Sequence, residues 1–481
     1  MFTLKDVFFA FVVIAILILA GRYVKQRLRW LQMLYLPESI VAGALALILG
    51  PQIVGAIATA IFGEGTLLSG GFFSEPIRTV WSQSAGVFIN IVFAALFLGE
   101  SIPNPRAIWN KAAPQVVFGQ SLAWGQYVVG ILVTLAILIP LFNVDPMAAA
   151  LIEIGFEGGH GTAGGMVETF NELGYADGAD LALGLATVGI VSGIIAGTAL
   201  ADWGRRKGHV QHGSAVLSEE AAIPDLTHSE TSEMQERRAH LFRGLLIDPI
   251  SINFGLVGIA IAIGWLILNA LIWIESVTWG PTGFEVMTYV PLFPMALIGG
   301  IVVQLVLERL GLEPLVIRPL MQNIAGLALD VVVTTALASI SLQVIGSNLG
   351  VFVILSLAGI AWNVLFFLYF APRIFPDYWL EKGIGDLGQS MGVTATGILL
   401  MRMVDPESRS GAFESFAYKQ LFFEPIVGGG LFTAAAPALI ARIGLGSTLL
   451  ITGGLLLFWL AMGFILIRQR QRTTARRQAS S

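Results

Sequence analysis

The sequence predicts an all-α polytopic membrane protein of two inverted five-helix repeats, each with a re-entrant hairpin, plus one extra C-terminal span. Three observations predict it. Of 481 residues, 56% are hydrophobic and only 12% charged, against roughly 25% charged in a soluble globular domain. Apolar runs long enough to cross a hydrocarbon core, about 20 helical residues, recur along the whole chain. Two glycine-rich polar interruptions, Glu153–Gly165 and Gly385–Gly397, fall at matching places in its two halves. Irregular backbone at membrane depth is tolerated only where protein surrounds it or where it lines a wet cavity, and such a pair marks a transport site.

The first run, Val7–Val24, follows Lys5 and Asp6 and ends among Arg22, Lys25, Arg27 and Arg29. No small-residue cleavage site follows it, so it reads as a retained helix rather than a signal peptide. Further spans are expected at Leu36–Phe62, Val80–Leu98, Ala113–Leu141 and Leu181–Leu200. A second set is expected at Ile250–Ile274, Val286–Leu307, Leu320–Leu342, Leu349–Phe370, Phe416–Ile440 and Leu449–Ile467. The resulting division is a first repeat over 1–200 with its hairpin at about 147–173, a cytoplasmic linker over 201–245, and a second repeat over 246–440 with its hairpin at about 382–404. Residues 441–481 are left for the extra helix and a basic tail.

The linker carries Glu219, Glu220, Asp225, Glu230, Glu233 and Glu236 and reads as solvated. His209 and His212 lack the further ligands a metal site needs, and Ser232–Gln235 resembles a capping box leading into the next span.

The halves repeat one another in order. Tyr35–Ala42 lies on Tyr289–Ala296, Ala85-Gly86 with Asn90 on Ala325-Gly326 with Asp330, Asp145 on Asp377, and Thr162–Gly165 on Thr394–Gly397. Lys and Arg in short loops favour the cytoplasm. With the N-terminus outside, every basic loop falls inside except those holding Lys5, Arg78 and Arg442, provided that each interruption enters and leaves on one side. Five true spans per half then invert the second repeat, place the C-terminus inside, and make the hairpins dip from opposite faces.

Net charge is only −5 and the basic residues follow topology, so no global field attracts nucleic acid. Cysteine is absent, which excludes disulfides, thiol catalysis and thiolate metal sites. Gly388-Gln-Ser-Met-Gly392 matches the nucleophile-elbow spacing around Ser390, but that motif needs a strand–turn–helix setting. With neither P-loop nor HExxH motif, no enzyme chemistry and no cofactor are expected.

Gly158, Gly159, His160, Gly161 and Thr162 combine a sharp turn with exposable amides, and a helix starting there would favour an anion. Gly392, Thr394 and Thr396 offer the same in the second hairpin. His160, the one histidine in a membrane segment, reads as a neutral ring hydrogen-bonded within its hairpin. Ionisable groups in apolar segments are functional candidates by default. Asp330, opposite Asn90 in the repeat, supplies hard oxygen ligands of the kind Na⁺ favours, so Na⁺ is expected at Asp330 and Asn90. Glu157 and Glu424 are further cation-binding or coupling candidates. Pro425 beside Glu424 indicates a kink, whereas Glu414 and Lys419 read as interfacial.

Leu36–Gly43, Gly158–Thr162 with Gly164 and Gly165, and Gly392–Thr396 together resemble the bacterial sodium/glutamate symporter family, in order from the first span to about Gly430. The Gly-Gly-His-Gly-Thr string is the most specific part. The resemblance implies Na⁺-driven uptake of glutamate or a related anionic amino acid across the bacterial inner membrane. It also implies homodimers and elevator-like movement of a transport domain against a scaffold. Glu157 stands where the family pattern calls for a small residue, and the second hairpin lacks the proline expected beside its threonine. Proton-coupled carboxylate transport and a passive anion channel are the alternatives.

Overall fold

In hydrocarbon each backbone N–H and C=O must be paired inside the protein, and an α-helix pairs them within one segment. The computed structural model describes residues 2–66, 68–210, 237–238 and 248–480. Among these residues there is no strand, and nine helices are long and apolar enough to cross a membrane. His212 and Ser232–Gln235 lie outside the described residues.

The first half contains α1 (Leu4–Arg27), α2 (Glu38–Leu49), α3 (Glu75–Ala95), α4 (Pro105–Val133), α5 (Leu151–Phe156), α6 (Gly159–Gly165) and α7 (Asp177–Lys207). The second contains α8 (Pro249–Val277), α9 (Phe293–Leu310), α10 (Arg318–Ser339), α11 (Leu349–Ile374), α12 (Trp379–Val404), α13 (Ala412–Phe423) and α14 (Leu431–Ser480). Starts are set by side chains that accept the orphan amides of the first turn. Thr3 and Asp6 form a capping box on α1, Asn104 accepts from the Ala107 amide at 2.9 Å before Pro105, and Asp248 accepts from the Ile250 and Ser251 amides before Pro249.

Two compact units cut across the sequential halves. The first contains α1–α3, α8–α10 and residues His160–Gly184, so it takes the three opening helices of each half. Its core joins Ala10, Ile14 and Leu17 of α1 to Ala42 and Ala46 of α2, Trp81 of α3 and Val331 of α10, and the Trp81 indole donates to the Ala10 carbonyl at 3.1 Å. Small residues let backbones touch where lipid gives no hydrophobic driving force between helices. A methyl added at Gly299 of α9 would lie 2.0 Å from the Ala260 carbonyl oxygen of α8.

The second unit contains α4, α5, the part of α7 from Leu185 onward, and α11–α14. Phe118 of α4 stacks on Phe366 and Phe370 of α11, and Gly463 of α14 fits against Phe370 and Val117.

Two expected spans are corrected. Val286–Leu307 becomes helical only from Phe293, because Val286 and Met287 turn to donate their amides to the buried Glu275 carboxylate, both at 2.9 Å. Phe416–Ile440 is two helices, α13 and the start of α14. Pro425 cannot continue the hydrogen-bond ladder, and Gly428 and Gly429 adopt φ of +71° and +100°. Leu449–Ile467 lies in a helix of its own, since the non-helical backbone of Gly444, φ +74° and ψ +167°, divides α14 into two helices.

Candidate functional site

The two polar interruptions are breaks in helix. In the first, α5 ends at Phe156, and Gly159 takes φ +68° to open α6. In the second, α12 breaks at Gly392 and Val393. Its arms fold back on each other: a methyl at Gly388 would lie 2.7 Å from the Gly397 Cα, and one at Gly385 would lie 2.6 Å from the Met401 sulfur. Val393 has φ +60° and ψ +174°, a region that is essentially glycine-only and costs a β-branched residue of order 1–3 kcal/mol. The breaks meet within the second unit, since a methyl on Gly159 would fall 2.4 Å from Val393 Cγ1.

Around this meeting point lies a buried polar network. Tyr127 donates its hydroxyl to Glu153 at 2.5 Å, and the Gly428 amide and Thr433 hydroxyl add bonds of 2.9 and 2.8 Å to the same carboxylate. The Lys419 ammonium is fully buried, 2.7 Å from Asp386 Oδ1 and 2.6 Å from Gln389 Oε1, with the Phe416 and Phe423 rings beside it. Gly119 leaves the room it occupies, as a methyl there would lie 2.8 Å from the Lys419 Cδ. Gln115 donates to the second Asp386 oxygen at 2.7 Å. Glu424 ties both arms of α12 together, accepting from Gln389 at 3.2 Å and from the Thr394 hydroxyl at 3.1 Å. Glu157 accepts from the Ser390 hydroxyl at 3.2 Å and from the Gln126 amide at 3.4 Å.

Removing four carboxyl groups from water is expensive unless each is paired, protonated or cation-bound. One lysine faces four carboxyls here, namely Glu153, Glu157, Asp386 and Glu424. The arrangement can therefore hold protons or small cations.

The candidates named from sequence divide between the units. Glu157, Gly158, Gly159, Gly392, Thr394, Thr396 and Glu424 belong to the second, whereas Asn90, His160, Gly161, Thr162 and Asp330 belong to the first. Thr396 donates its hydroxyl to the Gly392 carbonyl at 2.5 Å, closing the turn rather than leaving that group open. His160 and Thr162 are buried. Asp330 is hydrogen-bonded by Ser39, while the Asn90 amide nitrogen donates to Gly86 and Val87 of its own helix at 2.8 and 2.9 Å. Among the described residues, no cluster of three or more His, Cys, Asp or Glu side chains is placed to hold a metal.

Lys419, read as interfacial, is instead at the centre of the network. Glu414 is exposed and pairs with Lys111 at 2.9 Å. Asp386, Gln115, Gln126, Gln389 and Asn363 were not singled out from sequence. The five-residue spacing of Lys419 and Glu424, on one apolar stretch with Asp386 and Gln389 upstream, was the available signal.

A family model described as sodium/glutamate symporter matches residues 113–407, more than half of the chain. The chain belongs to the sodium/glutamate symporter family. The matched segment contains both broken helices and ends before Lys419, Glu424 and Thr433. No curated protein sequence matches the chain.

Proposed function

We propose that the chain is a secondary active transporter that couples inward Na⁺ movement to uptake of glutamate or a related anionic amino acid. The observation that carries this reading is the meeting of two broken helices, Gly159 against Val393, beside a buried network rich in carboxylates. Broken helices present orphan amides to an anion and orphan carbonyls to a cation. Family membership supports Na⁺ as the coupling ion and glutamate as the substrate.

The finer reading has inverted repeats, hairpins that enter and leave on one face, elevator-like alternating access and a homodimer. It places the chain in the bacterial inner membrane with the N-terminus outside and the C-terminus inside, as the Lys and Arg distribution favours. Proton coupling is the second reading, favoured by the excess of buried carboxyls over Lys419.

The test is uptake by proteoliposomes offered glutamate, aspartate or citrate under separately imposed Na⁺ and H⁺ gradients. Saturable glutamate uptake that collapses with the Na⁺ gradient is expected. Uptake that follows only the H⁺ gradient would select the second reading, and flux needing neither gradient would point to a channel.

A further inference from the structure

The four carboxyls of this network, Glu153, Glu157, Asp386 and Glu424, are unequally satisfied. Glu153 has three donors between 2.5 and 2.9 Å. Asp386 has an ammonium and an amide, both at 2.7 Å. Glu424 has donors at 3.1 and 3.2 Å. Glu157 has the longest pair, 3.2 and 3.4 Å, although it is as deeply buried as the others. Lys419 reaches Glu157 only through space, because its ammonium is bonded to Asp386 and Gln389.

The groups around Glu157 are also short of protons. The Gln126 amide nitrogen has two hydrogens but faces three acceptors: the Ser390 carbonyl at 2.7 Å, Asn363 Oδ1 at 3.2 Å and Glu157 Oε2 at 3.4 Å. Asn363 directs its own amide nitrogen at the Gly359 and Ser390 carbonyls, at 3.0 and 3.1 Å, and so gives none to Glu157. Gln126 is wholly buried, yet its amide oxygen has no hydrogen-bond partner. Turning that amide over would set its oxygen against the same three acceptors, so the orientation is fixed by the surroundings. Oxygen atoms from three elements, the break after α5, α11 and the first arm of α12, thus converge on one amide nitrogen of α4 with too few hydrogens for them all.

We propose that Glu157, Gln126, Asn363 and Ser390 form a binding site for one monocationic group, either an alkali ion or the ammonium of an amino acid. A cation supplies to these oxygens what the local N–H and O–H groups cannot, and it neutralises the least-paired carboxylate of the network. The proposal rests on the transport reading only for the choice of probes.

The test measures the melting temperature of the purified full-length protein in detergent. It is titrated with NaCl against choline chloride at constant ionic strength, and with L-glutamate against glutarate, which lacks the ammonium. Stabilisation by NaCl alone, with the half-saturating concentration raised at least tenfold in Glu157→Gln, identifies an alkali ion. Stabilisation by glutamate but not glutarate, lost in Glu157→Gln, identifies the ammonium. Should Glu157→Gln fail to fold, Ser390→Ala removes only the hydroxyl on Glu157 and is expected to shift the same response. The site is overturned if wild type responds to none of these probes, or if the variant that folds responds at wild-type concentrations. Na⁺-driven uptake that persists unchanged in Glu157→Gln defeats this site alone. Wild-type proteoliposomes that show no Na⁺-driven uptake, while Glu157 still governs NaCl stabilisation, defeat the transport reading alone.

Discussion

At the scale of single residues, the buried Lys419–Asp386 pair is the sharpest case of a contact whose worth depends on what is left behind. Both side chains are essentially inaccessible, at 1% and 0% exposure, so their mutual attraction offsets a large desolvation penalty and the net gain is small. Breaking the pair from one side strands a charge. Lys419→Met is expected to destabilise the protein by about 3–5 kcal/mol, and Asp386→Asn combined with Lys419→Met should recover much of the loss. Denaturant or thermal unfolding of the three variants in one detergent checks this, and a double variant no better than the single would show that Lys419 acts through its packing on Phe416 and Phe423 instead. Asp330 forms no such ion pair among the described residues and is hydrogen-bonded by the Ser39 hydroxyl. If it binds Na⁺ as the sequence suggests, Asp330→Asn should raise the Na⁺ concentration for half-maximal uptake at least tenfold, equivalent to about 1.4 kcal/mol. An unchanged Na⁺ requirement removes it from the site.

At the scale of elements, the proposed function depends on helices that stop. The break after α5 and the break inside α12 touch through Gly159 and Val393, with no space for a side chain between them. Gly159→Val is strained twice, by its positive φ and by the 2.4 Å approach to Val393 Cγ1. It is expected to abolish uptake while leaving membrane insertion intact, because the long helices that direct insertion are untouched. Uptake assayed alongside surface or membrane-fraction quantification decides it; normal kinetics would reduce Gly159 to a spacer. The break between α13 and α14 works in a similar way, since Gly428 turns its amide onto Glu153 instead of continuing a helix.

At the scale of the molecule, a Na⁺-coupled transporter is an electrical device. Each net positive charge moved inward is worth about 2.3 kcal/mol per 100 mV. If more positive charge enters with Na⁺ than the anionic substrate removes, an inside-negative potential imposed on proteoliposomes should increase glutamate accumulation at a fixed Na⁺ gradient. Accumulation indifferent to potential would mean an electroneutral cycle, with one Na⁺ per monovalent anion. Either outcome constrains how many buried carboxylates are neutralised by ions in each cycle.

The membrane class, nearly all the helices and the two interruptions were legible in the sequence, because each rests on a local property. Apolar length decides a span, and a glycine or proline among polar residues decides where it stops. For the same reason Glu157, Thr394 and Glu424 could be picked out as ionisable or hydroxyl groups in greasy surroundings. Pairing could not. Lys419 looks interfacial in one dimension, and only tertiary structure sets its ammonium 2.7 Å from Asp386, thirty-three positions away. Gln126 and Asn363 carry no charge to draw attention, and their proposed role follows from Gln126 meeting Asn363 and Ser390 across 237 and 264 residues of separation. The sequence determined which segments are long and apolar enough to enter the membrane, through solvation of each stretch by itself; the tertiary structure decided which buried oxygens lie together, because that depends on distances between elements that no local pattern encodes.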